Sequence, residues 1–167
     1  MSFAVWLTGL SGSGKSAIAR ELLAQLHARG VDAALLESDV LRTQLTPFPR
    51  YDEKDRDFFY GALSRMGELL VNIGRPVIFD ATANLRRYRE AARARIARFA
   101  EVYVDTPLEV CRQRDPKGLY RKAQALPGVG APYEPPLAPE LVVYGDCSTP
   151  TAAAGEVVAF LSRSNWL

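Results

Sequence analysis

A glycine-rich octapeptide near the N-terminus constrains the fold more than any other feature of this sequence. Gly9-Leu10-Ser11-Gly12-Ser13-Gly14-Lys15-Ser16 fits the pattern G-x-x-x-x-G-K-[ST] in full. Residues 3–7 before it are apolar, as a strand buried on both faces requires. The segment after it has isoleucine and leucine at helical spacing. This context predicts a strand, a phosphate-binding loop and a helix, which together indicate an α/β fold.

The residue types of the loop indicate its ligand. Glycines let backbone N–H groups turn inward around phosphate oxygens, and the following helix adds the positive end of its dipole. We expect Lys15 to reach the β- and γ-phosphates of ATP and the Ser16 hydroxyl to ligate Mg²⁺. By itself, the loop identifies a nucleotide and not a reaction. The nucleotide-binding residues predicted in the loop are Gly9, Ser11, Gly12, Ser13, Gly14, Lys15 and Ser16.

Apolar runs alternate with helix-period segments along the rest of the chain, as a parallel α/β sheet requires. The pattern predicts a single domain over residues 1–167 with the P-loop NTPase fold, a five-stranded parallel sheet flanked by helices. Between Asp115 and Pro139 the period is lost and proline and glycine are frequent, which favours an active-site lid over a passive surface loop. The predicted strands cover residues 3–7, 33–37, 76–80, 101–104 and 141–144, and the predicted helices cover residues 15–29, 52–73, 85–99 and 152–161.

Composition narrows the class of partner. A formal net charge of +2 over 167 residues is too small to indicate nucleic-acid binding. No apolar run approaches the ~20 residues of a membrane span, and the N-terminus lacks the pattern of a signal peptide. Two cysteines, Cys111 and Cys147, and a single histidine predict reduced thiols and no zinc site. We therefore expect a cytoplasmic protein that acts on a small molecule, without a nucleic-acid or membrane partner.

Two carboxylates fall at predicted strand ends, where ligands bind in open α/β sheets. Asp39 follows the second strand and is a candidate to accept the proton of an attacking hydroxyl or to hold Mg²⁺. Asp80 ends the third strand and looks like the metal-side aspartate of P-loop nucleotidases. The structural alternative for either residue is a helix N-cap, and for Asp80 also a turn.

Arginines supply candidates for binding an anionic acceptor. Arg42 follows Asp39 by one helical turn, so that both side chains share a face. A guanidinium group there can bind an anion through a bidentate pair of hydrogen bonds. Arg56 is the second candidate. Most of the arginines between residues 86 and 98 are expected to form a solvated helix face, with Arg86 and Arg87 as exceptions because they lie near a strand end.

A block in the second half of the chain resembles the adenylylsulfate kinase family. Tyr103-Val104-Asp105-Thr106-Pro107-Leu108-Glu109-Val110-Cys111, continuing to Arg114-Asp115-Pro116-Lys117-Gly118-Leu119-Tyr120, closely matches the fourth strand and lid of that family. The resemblance runs from the phosphate loop to about Glu140 and includes Pro132-Tyr133-Glu134. It implies a phosphotransferase of sulfate assimilation that uses ATP and Mg²⁺ to phosphorylate the 3′-hydroxyl of adenylylsulfate. The family often forms homodimers, so a homodimer is a further expectation.

The resemblance also implies roles for individual residues. Asp39 stands where the family has its catalytic aspartate, and it would act together with Lys15. Arg42 and Arg56 stand where family arginines bind adenylylsulfate, and Tyr51 stands where an aromatic residue lies near its adenine. The lid over ATP would include Arg114 and Lys117. The metal-binding residues predicted from the residues and the resemblance together are Ser16, Asp39 and Asp80.

Departures from the family pattern all fall on the acceptor side. The family's Asp-Gly-Asp reads Glu37-Ser38-Asp39, and Phe59 replaces an asparagine expected to contact substrate. Thr82 takes the place of the family serine, and the lid's Gly-Phe-Thr-Gly reads roughly Leu126-Pro127-Gly128. The acceptor-binding residues predicted with these departures are Arg42, Tyr51, Arg56, Phe59, Thr82 and Leu126.

Two alternatives to an adenylylsulfate kinase stay open at this point. The first is a P-loop kinase of the same fold that phosphorylates a different nucleotide-like or small-molecule hydroxyl, which Phe59 and Leu126 motivate because they remove polar and aromatic recognition. The second is a nucleotide-binding module without phosphotransfer, which the altered acid pair Glu37 and Asp39 motivates.

Overall fold

The computed structural model describes residues 2–46, 48–122 and 126–167, and these contain a five-stranded parallel sheet. The spatial order β2-β3-β1-β4-β7 places β1 at the centre of the sheet, and β5 pairs with β6 in the predicted lid. The predicted fold, a five-stranded parallel sheet flanked by helices, is confirmed. The strands are β1 (Ala4–Thr8), β2 (Ala34–Glu37), β3 (Val77–Asp80), β4 (Phe99–Asp105), β5 (Leu126–Pro127), β6 (Gly130–Ala131) and β7 (Leu141–Tyr144).

Helices cover both faces of the sheet because β1 is apolar on both. Its side chains alternate, so that Val5 and Leu7 pack into one hydrophobic cluster while Ala4 and Trp6 pack into another. The first cluster is completed by α1 and α7 and the second by α3 and α4. The helices are α1 (Lys15–His27), α2 (Ser38–Leu45), α3 (Glu53–Asn72), α4 (Arg86–Arg93), α5 (Leu108–Arg114), α6 (Leu119–Lys122) and α7 (Pro150–Arg163).

Strand register brings the candidate site residues to one edge of the sheet. Leu7, the penultimate residue of β1, pairs with Asp80, and Asp80 pairs in turn with Glu37 at the end of β2. The phosphate loop, the start of α2 and the loop after β3 therefore leave the sheet side by side. This is the edge at which open α/β sheets bind ligands.

The helix predicted over residues 85–99 is too long. α4 ends at Arg93, and Phe99 begins β4, where it pairs with Ala4 of β1. Phe99 and Ala100 are buried in the sheet, so tertiary pairing overrides the helical pattern that the arginines and alanines suggest. The helix predicted over residues 52–73 ends one residue early, at Asn72, and the side chain of Ile73 is exposed.

The solvated arginine face predicted for this region is wrong for Arg89. Arg89 is 1% exposed and is one of the largest fully buried side chains of the described residues. Neither periodicity nor composition indicates this, because its partners lie on other elements of the fold. By contrast, the side chain of Arg95 is partly exposed and pairs with Glu68 of α3.

The predicted lid has little regular structure. Over the described part of residues 115–139, it contains only the single turn of α6 and the two-residue strands β5 and β6. Among the described residues, no helix is long and apolar enough to cross a membrane.

Candidate active site

The phosphate loop connects β1 to α1 and is packed closely against the rest of the fold. Gly9 and Gly12 have φ values of 156° and 77°. A Cβ atom would lie 2.5 Å from the Val104 carbonyl oxygen at Gly9 and 2.8 Å from the Cys111 carbonyl oxygen at Gly12. Both positions therefore require glycine for space as well as for backbone conformation. The loop ends at the N-terminus of the 13-residue helix α1, which provides the positive end of a dipole.

The side chain of Lys15 folds back onto the phosphate loop. The side chain is buried, and its ammonium group donates a hydrogen bond to the Leu10 carbonyl oxygen at 2.8 Å. Burial lowers the pKa of Lys15, while the negative charge of Asp80 acts in the opposite direction. A cation held in such a poorly hydrated position interacts strongly with any phosphate that replaces the carbonyl oxygen as its partner.

Asp80 is the last residue of β3, so the alternative role of helix N-cap does not apply to it. Its side chain is buried, which raises the pKa of its carboxyl group; the Lys15 ammonium and the Ser16 hydroxyl stabilise the carboxylate and oppose this shift. A hydroxyl and a carboxylate therefore meet beside the phosphate loop. This donor set fits Mg²⁺, which binds through one or two carboxylates, substrate phosphates and waters. Among the described residues, no group of three or more His, Cys, Asp or Glu side chains is placed to hold a metal ion.

Asp39 lies in the first turn of α2, whose N-cap residue is Glu37. The alternative role of Asp39 as the N-cap is therefore wrong. Its side chain is 68% exposed, and its Oδ2 atom pairs with the ammonium of Lys117. This contact joins the candidate catalytic base to the lid across 78 positions of sequence. Ion pairs this exposed contribute little stability, so a phosphate can readily replace Asp39 as the partner of Lys117.

Arg42 lies in a cage of aromatic rings and is 8% exposed. Its Nη1 atom donates to Asp55 Oδ2 at 2.9 Å. Its Cζ atom lies 4.0 Å from the ring centroid of Phe59, 5.0 Å from that of Tyr51 and 5.8 Å from that of Tyr60. Cation–π contacts and a charged hydrogen bond therefore fix the plane of the guanidinium.

Phe59 is fully buried beneath Arg42 and belongs to the hydrophobic cluster of α3. It reaches the acceptor region through Arg42 and not through an exposed surface of its own. Its predicted role in acceptor binding stays a prediction, and full burial means that it would act through Arg42. Sequence reasoning could not assign this contact, because Arg42 and Phe59 stand on different helices.

Three other predicted acceptor residues surround the same edge. Tyr51 is 51% exposed, has a φ of 59°, and donates its backbone N–H to Asp55 Oδ2 at 3.2 Å. Thr82 is partly buried in the loop after β3, and its carbonyl oxygen accepts a hydrogen bond from the Thr8 hydroxyl at 2.6 Å. Arg56 lies in the first turns of α3 and is partly buried.

The remaining predicted residues lie in the lid or beside it. Leu126 is partly buried in β5, whose neighbouring turn packs on the phosphate loop, since a Cβ atom at Gly128 would lie 2.8 Å from Leu10 Cδ2. Arg114 ends α5 and donates to the Gly145 carbonyl oxygen at 2.9 Å. Its predicted contact with ATP stays a prediction.

Sequence reasoning missed the residues that hold the phosphate loop in place. The buried Thr106 hydroxyl donates to the Ser13 carbonyl oxygen at 2.9 Å, and the Tyr120 hydroxyl donates to the Ser11 carbonyl oxygen at 2.6 Å. A Cβ atom at Gly145 would lie 2.1 Å from the Ser13 carbonyl oxygen. Thr106 and Tyr120 both belong to the block that carries the family resemblance, which was the only signal for them in the sequence.

Comparisons with known proteins agree on one family. A sequence model of the adenylylsulphate kinase family matches residues 1–144. The adenylyl-sulfate kinase of Microcystis aeruginosa is 41% identical over 160 residues, which cover 93% of this chain and 86% of that protein. The adenylyl-sulfate kinase of Synechococcus sp. (strain JA-3-3Ab) is 38% identical over 165 residues, which cover 96% of this chain and 92% of that protein.

Solved structures give the same result. The APS kinase of Mycobacterium tuberculosis, solved in complex with AMPPNP and APS, matches with a TM-score of 0.90 and 36% sequence identity. The match covers 96% of this chain and 98% of that one.

Proposed function

This chain belongs to the adenylylsulfate kinase family, and on that premise we propose that it phosphorylates the 3′-hydroxyl of adenylylsulfate with ATP to give 3′-phosphoadenylylsulfate. The observation that carries the proposal is the contact of Asp39 with Lys117 at the rim of an intact phosphate loop. It joins a candidate base to a candidate phosphate-binding cation. Neither a different acceptor nor a non-catalytic module is favoured, because the relatives at 38–41% identity are adenylyl-sulfate kinases.

The donor is ATP. The phosphate loop and the N-terminus of α1 surround its phosphates, and Lys15 moves from the Leu10 carbonyl oxygen to the β- and γ-phosphates. The AMPPNP complex of the Mycobacterium tuberculosis relative supports this assignment. Mg²⁺, when bound, neutralises charge on the phosphates, and Ser16, Asp80 and Asp39 are the residues that would hold it.

The reaction is an in-line phosphoryl transfer. Asp39 accepts the proton of the 3′-hydroxyl while that oxygen forms its bond to the γ-phosphorus, and the bond from phosphorus to the bridging oxygen of ADP breaks. Lys117 leaves Asp39 for the phosphates of ATP, so that donor binding frees the base and brings a lid cation to the transferring group. The exposed position of the Asp39–Lys117 pair supports this exchange.

The acceptor lies between α2, α3 and the loop after β3. Arg42 and Arg56 bind its anionic groups, and the half-exposed ring of Tyr51 packs near the adenine. Thr82 and Leu126 complete the pocket from the loop after β3 and from the lid. A cytoplasmic homodimer is the expected state; light scattering measures its mass in solution.

Turnover of adenylylsulfate tests this function. Purified protein is incubated with MgATP and adenylylsulfate, ADP release is coupled to NADH oxidation, and mass spectrometry identifies the product. We expect ADP and 3′-phosphoadenylylsulfate in equal amounts, and background rates from Lys15→Ala protein. Wild-type ADP release that is independent of adenylylsulfate, or absent with it, would overturn the proposal.

A further inference from the structure

Arg89 is a buried cation that the proposed chemistry does not use. It lies on α4, and its side chain is 1% exposed. Burying a charge in a protein is costly unless hydrogen bonds and a counterion compensate for the lost hydration. The partners of Arg89 therefore indicate what this cation is placed to hold.

Three separate parts of the fold accept hydrogen bonds from Arg89. Its Nε atom donates to Glu101 Oε1 of β4 at 2.5 Å. Its Nη1 atom donates to the carbonyl oxygen of Ala83, and its Nη2 atom donates to the carbonyl oxygen of Glu134 at 2.6 Å. Two of the three acceptors are main-chain atoms, so the guanidinium fixes backbone and not only a counterion.

Ala83 lies in the acceptor loop, which we define as residues 81–84 after β3. It is a fully buried, non-glycine residue with a φ of 42°, a conformation that costs free energy for a residue with a Cβ atom. Its N–H donates to the Tyr60 hydroxyl at 3.2 Å, and its carbonyl accepts from Arg89. These two bonds hold the backbone directly after Thr82, a predicted acceptor residue.

Glu134 lies in a second segment, which we call the strap and define as Pro132–Glu134. The strap lies in the C-terminal part of the predicted lid, and hydrogen bonds join it to the end of the acceptor loop. Asn84 Nδ2 donates to the Pro132 carbonyl oxygen at 3.0 Å, and the Glu134 N–H donates to the Asn84 carbonyl oxygen at 2.8 Å. The Glu134 carboxylate accepts from the Arg86 N–H at 2.8 Å.

The strap also reaches the donor side. The Tyr133 hydroxyl lies 3.2 Å from the Thr8 hydroxyl, which donates to the Thr82 carbonyl oxygen at 2.6 Å. Thr8 ends β1 and directly precedes the phosphate loop. One continuous set of hydrogen bonds thus joins the strap, the acceptor loop and the start of the phosphate loop. The buried guanidinium of Arg89 donates to two of these segments, the acceptor loop and the strap.

We infer that Arg89 is a positioning residue for phosphoryl transfer. It fixes the acceptor loop relative to the phosphate loop, and it anchors the strap to the end of the acceptor loop. This inference rests on the proposed function for its kinetic consequence, since a displaced acceptor loop would misplace the groups that bind adenylylsulfate.

Kinetics of three variants test the inference. Arg89→Met removes all three hydrogen bonds. Arg93→Met is the matched control, because Arg93 lies one turn further along α4 and pairs with Glu101 and Glu140. Among the described residues, it makes no hydrogen bond to the acceptor loop or the strap. The double variant Arg89→Met/Glu101→Gln also removes the charge of Glu101, which the single variant would leave buried without Arg89. It therefore separates an effect on positioning from an effect on stability. It also provides a second test of the inference if Arg89→Met protein folds poorly.

We expect the KM for adenylylsulfate to rise about tenfold in both Arg89 variants, while the KM for ATP changes less than about twofold. Arg93→Met should leave both constants near the wild-type values, even where its melting temperature falls. A normal KM for adenylylsulfate in the double variant, or an equal rise in Arg93→Met protein, would mean that Arg89 contributes only stability.

Hydrogen–deuterium exchange gives a second readout that does not depend on the substrate. Exchange at the amides of Ala83, Arg86 and Glu134 should become about tenfold faster in the Arg89 variants and remain unchanged in Arg93→Met. If the wild-type protein does not turn over adenylylsulfate, the proposed function fails while this comparison still tests the anchoring. Unchanged exchange at the three amides would overturn the inference whatever the substrate.

Discussion

The donor and acceptor halves of the site are built in different ways. The donor half is made of backbone, with Gly9 and Gly12 pressed against carbonyl oxygens and the Ser13 carbonyl held by Thr106. The acceptor half is made of side chains, with the Arg42 guanidinium set among aromatic rings and paired with Asp55. A backbone site requires glycines at fixed spacing, so its sequence is recognisable and tolerates little change. A side-chain site can exchange one packing arrangement for another, and the departures predicted from the family resemblance fall there.

The comparison predicts that a substitution in one half of the site alters the KM for the substrate bound by that half. Changes in the donor half should alter the KM for ATP, and changes in the acceptor half should alter the KM for adenylylsulfate. A residue between the halves should alter kcat and neither KM.

Asp39→Asn should have the largest effect, because Asp39 is the proposed base between the halves. Asparagine has a similar shape but cannot accept the proton, so kcat should fall by about 10²- to 10⁴-fold. Both KM values should stay within a few-fold of the wild-type values, as measured in the coupled assay. A wild-type kcat in this variant would remove Asp39 from the mechanism.

Arg42→Lys should have the next largest effect and should be confined to the acceptor half. Lysine keeps the charge but loses the planar fork that stacks on Phe59 and pairs with Asp55. We expect the KM for adenylylsulfate to rise by about 10- to 100-fold, with the KM for ATP unchanged. Equal rises in both constants would show that the two halves are not separable at Arg42.

Gly145→Ala tests the donor half. A Cβ atom there would lie 2.1 Å from the Ser13 carbonyl oxygen, so the phosphate loop must shift to admit it. The KM for ATP should rise about tenfold while the KM for adenylylsulfate stays near its wild-type value. Gly155→Ala on α7 is the control, because the nearest atom to a Cβ there is a side-chain oxygen at 3.9 Å.

Phe59→Leu should have a smaller effect on kinetics than Arg42→Lys, because it removes only one of the three rings that surround the guanidinium. Loss of the ring beneath Arg42 removes a cation–π contact worth about 0.5–2 kcal/mol, so the KM for adenylylsulfate should rise by roughly 2- to 30-fold. Phe79→Leu is the matched control, since Phe79 is an equally buried core aromatic that stacks on Trp6 and not on Arg42. Both variants should lose stability in thermal melts; a normal KM for adenylylsulfate in Phe59→Leu would leave Phe59 a core residue only.

The sequence predicted the phosphate loop and the sheet because both follow from local patterns. β1 and β7 are short apolar runs, and the loop is a fixed-length motif. The predicted C-terminal end of α4 was wrong because Phe99 and Ala100 belong to β4. They pair with residues of β1 that lie almost a hundred positions earlier in the sequence. Local periodicity carries no information about such a partner.

The sequence predicted which residues belong to the candidate site, but it did not predict most of the contacts between their side chains. Lys15, Asp39, Arg42 and Asp80 come to one edge of the sheet, as strand ends in an open α/β fold require. The position of Phe59 under Arg42 and the burial of Arg89 were not predictable, because each depends on the packing of elements that are distant in sequence.

The most direct test of the account is the acceptor preference of the wild-type enzyme. The value of kcat/KM is measured for adenylylsulfate and for adenosine 5′-phosphate, which lacks the sulfuryl group, under the same saturating MgATP. We predict a preference for adenylylsulfate of at least about 100-fold, because a site built to bind a polar group discriminates strongly against an analogue without it. Equal constants, or a higher constant for adenosine 5′-phosphate, would contradict the claim that this altered acceptor half is an adenylylsulfate site.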